Sequence, residues 1–188
     1  MAGSLIKIDE EIVTSAVASV TLGGSNWDSS YDVYMVQITD FSPANDDVYM
    51  VAVSNCIPAT DGVSAYMRIT KSGTADTTSN YDYAYKDLKA YTTFSNNSST
   101  NQNKLNFGNT GTGGSEGLNT IIYLFNFNNA SEYSFGTQED TMLTSGQQHR
   151  GQQGGFVHTV ASASDGVQFF FSSGNIASGT FSLFGLAK

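Results

Sequence analysis

Apolar residues along this chain come in short runs of Val, Ile, Tyr and Phe, and Gly, Asn, Asp and Ser break those runs at short intervals. β-Branched and aromatic side chains fit a pleated, half-buried surface and the interruptions supply turns, so the pattern predicts antiparallel strands from end to end, with little room for helix. Ile12 to Leu22 reads as a first strand region ending at Gly23-Gly24. Tyr31 to Asp40 follows, closed by Phe41-Ser42-Pro43-Ala44-Asn45-Asp46-Asp47, and Val48 to Val53 is expected to run back as its hairpin partner. Beyond an Asp61-Gly62 turn, Ser64 to Lys71 alternates, with Ala65, Met67 and Ile69 on one face and Arg68 and Thr70 on the other. Tyr81 to Tyr91 and Thr120 to Phe127 are further extended segments. Phe156 to Ser164 and Val167 to Ser172 are expected to form a tight hairpin about Asp165-Gly166, and Gly174-Asn175 leads into a final strand, Ile176 to Ala187. Three stretches read as connections: Ser95 to Asn103, which has no apolar residue, the Gly-rich run Gly108 to Gly117, and the polar excursion Gln138 to Gly155.

Some eight to ten strands over 188 residues predict a single all-β domain: an antiparallel two-sheet β-sandwich, jelly-roll-like, with a polar loop region near 95–117 and a Gly/Gln-rich loop near 138–155. The long connections favour strands crossing between two sheets over an up-and-down barrel, and no internal repeat suggests a propeller. Several strands are apolar on both faces. In Thr120 to Phe127, Ile121, Tyr123, Phe125 and Phe127 share one face, and Ile122 and Leu124 the other; Val33 to Ile38, Val48 to Val53 and Phe169-Phe170-Phe171 behave alike. One face meets the core, so the second needs a loop or another subunit, and a symmetric homo-oligomer is expected.

Composition narrows the partners. Eight basic against 17 acidic residues give a net charge of −9, which repels phosphate, so nucleic acid is not an expected partner. No apolar stretch approaches the ~20 residues of a membrane span, and the N-terminus lacks the basic start and apolar run of a secretory signal, so neither a membrane association nor a leader is expected. The lone Cys56 makes no internal disulfide, which points to synthesis in a reducing cytosol.

Candidate chemistry is sparse. His149 and His158 with one cysteine cannot assemble a structural zinc site; His149-Arg150 lies in a Gly/Gln-rich loop and reads as solvated, and His158 as structural or interfacial. The carboxylate groups Asp9/Glu10/Glu11, Asp46/Asp47 and Glu139/Asp140 are poor glycosidase pairs, because neighbours in a strand point to opposite faces and those in turns are solvated. Asn45-Asp46-Asp47 offers hard oxygen ligands for calcium but lacks the spacing of an EF-hand loop, so a turn is the preferred reading. No nucleophile elbow and no phosphate-binding Gly-Lys-Ser/Thr loop is present. No catalytic activity, cofactor or metal is therefore expected. Tyr81, Tyr83 and Tyr85 share one strand face with Tyr91 nearby, an aromatic stripe suited to a subunit interface or to stacking on sugar rings. With Ile122 and Leu124 these four tyrosines are the candidate contact residues.

Several segments, in order, resemble a group of small virion proteins of tailed bacteriophages: Ser30-Tyr31-Asp32-Val33-Tyr34-Met35-Val36-Gln37-Ile38 after Gly24, Pro43-Ala44-Asn45-Asp46, Ala65-Tyr66-Met67-Arg68-Ile69-Thr70 and Asn80-Tyr81-Asp82-Tyr83. The end of the chain, Ser172-Ser173-Gly174-Asn175-Ile176-Ala177-Ser178-Gly179-Thr180-Phe181-Ser182-Leu183-Phe184-Gly185-Leu186, resembles that group's closing strand, with Ser182 in place of a charged or polar residue and Phe184 in place of tyrosine. The resemblance implies a jelly-roll structural component of the virion, made in the host cytoplasm, with no catalytic residues to carry over. Because the β pattern begins by about Leu5 and leaves no room for a shaft, a capsid decoration or cement protein is expected, a trimer bound to the major capsid protein or other virion proteins. The alternative is a tail or fibre-tip module that binds host-surface glycan through Tyr81 to Tyr91 or Ser95 to Asn103.

Overall fold

A computed structural model describes residues 4–45, 63–143 and 147–187. The expected strand Val48 to Val53, Cys56, the Asp46-Asp47 pair with its calcium reading and the Asp61-Gly62 turn lie outside the described residues.

The described strands are β1 (Leu5–Val13), β2 (Val20–Gly23), β3 (Val33–Pro43), β4 (Val63–Lys71), β5 (Thr74–Ala75), β6 (Tyr81–Lys89), β7 (Ser95–Gln102), β8 (Leu105–Thr110), β9 (Leu118–Phe125), β10 (Ser134–Leu143), β11 (His149–His158), β12 (Gly166–Phe171) and β13 (Ile176–Leu186). They form two antiparallel sheets packed face to face, an all-β sandwich as the alternation predicts. The larger sheet has eight strands in the order β1-β13-β3-β9-β10-β11-β6-β7, and the smaller runs β2-β12-β4-β5, with β8 also paired to β4. The chain passes repeatedly from one sheet to the other, and β9, β10 and β11 make a meander within the larger sheet.

Between the sheets lies a core to which both contribute: Leu22, Met67, Ile69, Val167 and Phe169 from the smaller, Val36, Ile38, Phe41, Ile122, Leu124, Phe181 and Leu183 from the larger, all buried. Phe41 stacks on Phe171 at 4.3 Å between ring centres and meets Phe181 edge-on at 5.1 Å, while Phe181 lies 5.7 Å from Phe169. These aromatic contacts bridge the layers near the middle of the sandwich.

Five expectations are corrected. The opening region is two strands in different sheets, β1 and β2, separated by Thr14–Ser19, which is why its periodicity over Ile12 to Leu22 is imperfect. Ser95 to Gln102 is not a loop tip but β7, the edge of the larger sheet paired to β6; an edge strand exposed along its length needs no apolar residue. The Gly-rich connection from Gly108 begins inside β8. Most of Gln138 to Gly155 is strand: β10 pairs with β11 from Ser134↔His158 to Leu143↔His149. Finally, β11 and β12 do not form a hairpin, because β12 crosses to the smaller sheet between β2 and β4.

The polar β10/β11 pair stays a strand pair because its period of two is intact while its polarity is inverted. β10 buries Ser134, Gly136, Gln138, Asp140 and Met142 and exposes Phe135, Thr137, Glu139 and Thr141. Gly136 is needed for close approach, since a Cβ there would lie 2.2 Å from Cζ of Phe156, whose ring covers it.

Candidate functional site

The smaller sheet covers one face of the larger one; among the described residues the other face is open. Along it, strand register aligns apolar side chains from neighbouring strands into two adjoining rows. Phe184 of β13 stands opposite Met35 of β3, which stands opposite Tyr123 of β9. Val33 stands opposite Phe125, Phe125 opposite Phe135 of β10, and Phe135 opposite Val157 of β11. Tyr123 is 40% exposed, Phe135 45% and the neighbouring Ile121 39%, so the stripe presents aromatic surface to solvent. Cross-strand pairs of this kind stabilise the sheet, but they leave the outward ring faces wet.

Towards the other end of the strands the same face turns polar. A groove of about 360 Å³ runs between Gln37, Thr39, Asn119, Ile121, Glu139 and Thr141. A second, of about 340 Å³, shares Ile121 and Glu139 and continues to Tyr123, Thr137 and Gln153. Gln153 Nε2 donates to Glu139 at 2.7 Å, and this exposed face carries neutral amides and hydroxyls more than charge.

The sequence candidates fall mostly on the opposite side. Ile122 and Leu124 are fully buried between the sheets, so the outward contacts of that strand belong to Ile121 and Tyr123. Tyr81, Tyr83 and Tyr85 do share a face, but it points into the sandwich. Tyr81 is fully buried; its hydroxyl donates to the Asp76 carbonyl at 2.9 Å and accepts from the Ile69 amide at 3.0 Å. Tyr83 and Tyr85 stack at 5.8 Å and are half-buried, and burial pushes the Tyr85 phenol up to about 12. Tyr91 is exposed in the turn beyond β6 and so is not part of the stripe.

No protein-family model, curated protein or solved structure matches the chain.

Inside the wing formed by β10, β11 and β6, polar groups replace the expected core. Asp87 accepts from Arg150 Nε at 3.0 Å and Nη2 at 2.8 Å, from Gln152 at 2.8 Å and from Asn97 at 2.7 Å, and the Gly108 amide donates to Gln152 at 2.8 Å. Burial works to raise the Asp87 carboxyl, but these partners, Arg150 foremost, hold it below the usual range. Asp140, with Thr120 donating to it and Gln138 at 3.2 Å, meets no cation among these contacts, and burial pushes it up to about 7.

At the other end of the wing, Asp76 accepts from His158 Nε2 at 2.9 Å, from Lys71 at 3.0 Å and from the Thr78 amide at 2.9 Å. His158 is fully buried and its ring is held below the usual imidazole range, chiefly by burial, so it is neutral and donates through Nε2. This buried aspartate–histidine pair links the turn after β5 to β11 and so ties the two sheets together. The paired carboxylates of the sequence also separate: Glu139 faces out, Asp140 in, while Asp9 binds the Gly23 amide at 2.8 Å and Asn26 at 2.9 Å. His149 is exposed, 3.1 Å from the Thr141 hydroxyl. Among the described residues no group of three or more His, Cys, Asp or Glu is arranged to hold a metal ion.

The outward stripe was only half visible in the sequence. Ile121, Tyr123 and Phe125 alternate openly, but Phe135 and Val157 sit in segments whose inner positions, Met142 and Phe156 aside, are polar or glycine.

Proposed function

We propose that this chain is a non-enzymatic structural protein of a tailed-bacteriophage virion, a capsid decoration protein that binds the head through the open face of its larger sheet. The observation that supports this reading is the stripe of Tyr123, Phe125 and Phe135, with Met35, Phe184 and Val157 beside it, on a face that the smaller sheet leaves uncovered. Aromatic rings surrounded by neutral polar groups are the composition of a protein contact, with an apolar centre and a hydrogen-bonding rim. Covering such a face by copies of the same chain and by the major capsid protein would multiply weak contacts over a shell and stabilise it by avidity. The segment resemblance to phage virion proteins points the same way.

Immunogold electron microscopy of particles from the source phage, with antibody to the purified protein, tests this. Dense label over the heads is expected, together with saturable binding of the purified protein to empty shells. Label confined to the tail would replace decoration by the fibre-tip reading, and unlabelled particles would overturn the virion assignment.

A further inference from the structure

Each sheet ends in strands that pair with no further strand on their outer side among the described residues. Most of these edges are guarded. β1 carries Lys7, Asp9, Glu10 and Glu11 and shifts register between Lys7 and Asp9. In the smaller sheet β2 has four residues and β5 two, while β8 is tied to β11 through the Gly108 amide, 2.8 Å from Gln152. Charge, bulges, shortness and cover are the devices that keep an edge from pairing with another chain. β7 lacks them over its regular part. The chain has 8 basic and 17 acidic residues, and none of them, nor any proline, lies between Ser95 and Gln102. Its register with β6 is unbroken from Ser95↔Asp87 to Ser99↔Tyr83 and shifts only beyond that point.

This edge is held in place from behind. Asp87 accepts from Asn97 Nδ2 at 2.7 Å and from the Ser95 hydroxyl at 3.2 Å, Lys89 donates to the same hydroxyl at 2.9 Å, and the Asn101 amide donates to Asp82 at 2.7 Å. Ser95 and Asn97 are thus spent on the protein's own interior, and the side chains left exposed on the outer face are those of Asn96 and Ser98. Gln102 Nε2 donates to the Thr100 carbonyl at 2.9 Å, so the open backbone run is Ser95 to Ser99. Just before it, Phe94 is 57% exposed and Tyr91 42%, with Lys86 Nζ 5.5 Å from the centre of the Phe94 ring. A strand ordered in advance loses little entropy when it pairs.

Charge decides what pairs with it. At a net charge of −9, two copies repel wherever their charged surfaces meet, and the uncharged strip of β7 is where they can approach without that penalty. An antiparallel pair is its own backbone complement across a two-fold axis. With the axis at Asn97, Asn96 of each copy faces Ser98 of the other, and each Phe94 faces Thr100 of the other and closes that end. We infer that β7 is a dimerisation edge that pairs antiparallel with β7 of a second copy, joining the two larger sheets into one, with Phe94 and Tyr91 covering the ends. A run of five residues, about 17 Å long, stays below the roughly 1,200 Å² of a stable interface, so dimer and monomer exchange with concentration. This contact leaves the open face of the larger sheet untouched and does not rest on the head-binding reading.

The test is sedimentation velocity on the purified full chain from about 5 to about 500 µM, in about 0.1 M and about 0.5 M salt. The expected result is a monomer–dimer equilibrium that is at least as strong in the higher salt, since an uncharged contact gains when the net repulsion is screened. Asn96→Asp combined with Ser98→Asp sets carboxylates opposite one another and should weaken the dimer about tenfold or more, as should Asn96→Lys combined with Ser98→Lys; an equimolar mixture of the two should restore it. Both pairs change exposed side chains, and Phe94→Ser, in the turn, should weaken the dimer about tenfold without touching the strand. The inference is overturned if the parent sediments as a monomer throughout or as a trimer, if the acidic double variant or Phe94→Ser dimerises like the parent, or if the mixture fails to associate.

Discussion

Asp76 is the acceptor that ties β4, the turn after β5 and β11 together, and Asp76→Asn measures what that tie contributes. The substitution keeps the volume and, through the remaining oxygen, the bonds from the Thr78 amide and hydroxyl. It replaces the oxygen that accepts from His158 at 2.9 Å and Lys71 at 3.0 Å by an N–H group, so donors face donors. The His158 bond is fully buried and charge-assisted, which puts its loss at about 1.5–3 kcal/mol, whereas Lys71 reaches solvent and contributes about 0.5–1 kcal/mol. The expected loss is therefore about 2–4 kcal/mol at pH 7, with a fall in Tm of roughly 4–16 °C for a chain of this size. The sign of its pH dependence follows from the depressed carboxyl. Burial acts to raise the Asp76 pKa, but Thr78, Lys71 and His158 outweigh it and hold it far below the usual range. Its stabilisation is then present above the unfolded value of about 4 and is lost as pH falls through the folded value. His158 has the same slope at higher pH: its folded pKa is lowered, so stability begins to fall as the pH drops below about 6.5. Urea denaturation followed by circular dichroism between pH 7 and pH 2.5 reads both effects, with the m-value as the check that the unfolded state is unchanged. The gap between the two proteins should narrow steadily below pH ~4. A loss under about 0.5 kcal/mol at pH 7, or a gap that stays constant down to pH 2.5, would refute the reasoning.

Asp140 behaves in the opposite sense: burial raises it to about 7, so the parent loses stability as pH rises from about 4 through 7, and Asp140→Asn should be about 1–3 kcal/mol more stable at pH 8 and closer to the parent at pH 5 in urea melts. Phe181→Ala opens a cavity beside Phe41 and Phe169 and should cost about 3–5 kcal/mol by the same measurement. Gly136→Ala forces the Phe156 ring off the backbone and should cost about 1–3 kcal/mol. On the open face, Tyr123→Lys combined with Phe135→Lys should leave the melting curve within about 0.5 kcal/mol of the parent and abolish binding to empty shells; retained binding would remove this face from the proposed contact.

Alternation was readable wherever inward positions were apolar. β3, β4, β9 and β13 announce themselves by Val36 and Ile38, Met67 and Ile69, Ile122 and Leu124, and Phe181 and Leu183, all buried as the pattern requires. It failed where a strand had no apolar inner face to show. β7 is an edge strand with solvent on its flank, and β10 and β11 turn Gln138, Asp140 and Gln152 inward, so a hydropathy pattern reads them as loops even though their backbones pair without a break. Sheet membership was equally hidden: nothing in Phe156 to Ser172 marks that the chain changes layers between His158 and Gly166. For the contact residues, the sequence could place Ile121 and Ile122 on opposite faces, but choosing the exposed one needed the second sheet.

The inversion of β10 bears on the proposal more directly than any single side chain. A strand that turns Gln138 and Asp140 towards the core and Phe135 towards water is arranged against its own solubility, if the monomer is the only state that matters. Part of the inward polarity is compensated, since the wing holds an ion pair at Asp87–Arg150 and amide bonds through Gln152 that tie β6 to β11. Among the described residues the outward rings have no such cover: Phe135, Phe125 and Tyr123 lie side by side, each with a face to solvent. Register makes them one surface, because slipping β10 by a single residue would exchange its inner and outer sets and place an uncompensated Phe135 against the polar wing. The inward bonds that β10 itself makes, from Thr120 to Asp140 and from Gln138 to the Asn106 carbonyl at 3.4 Å, exist only in the register that displays the aromatic stripe.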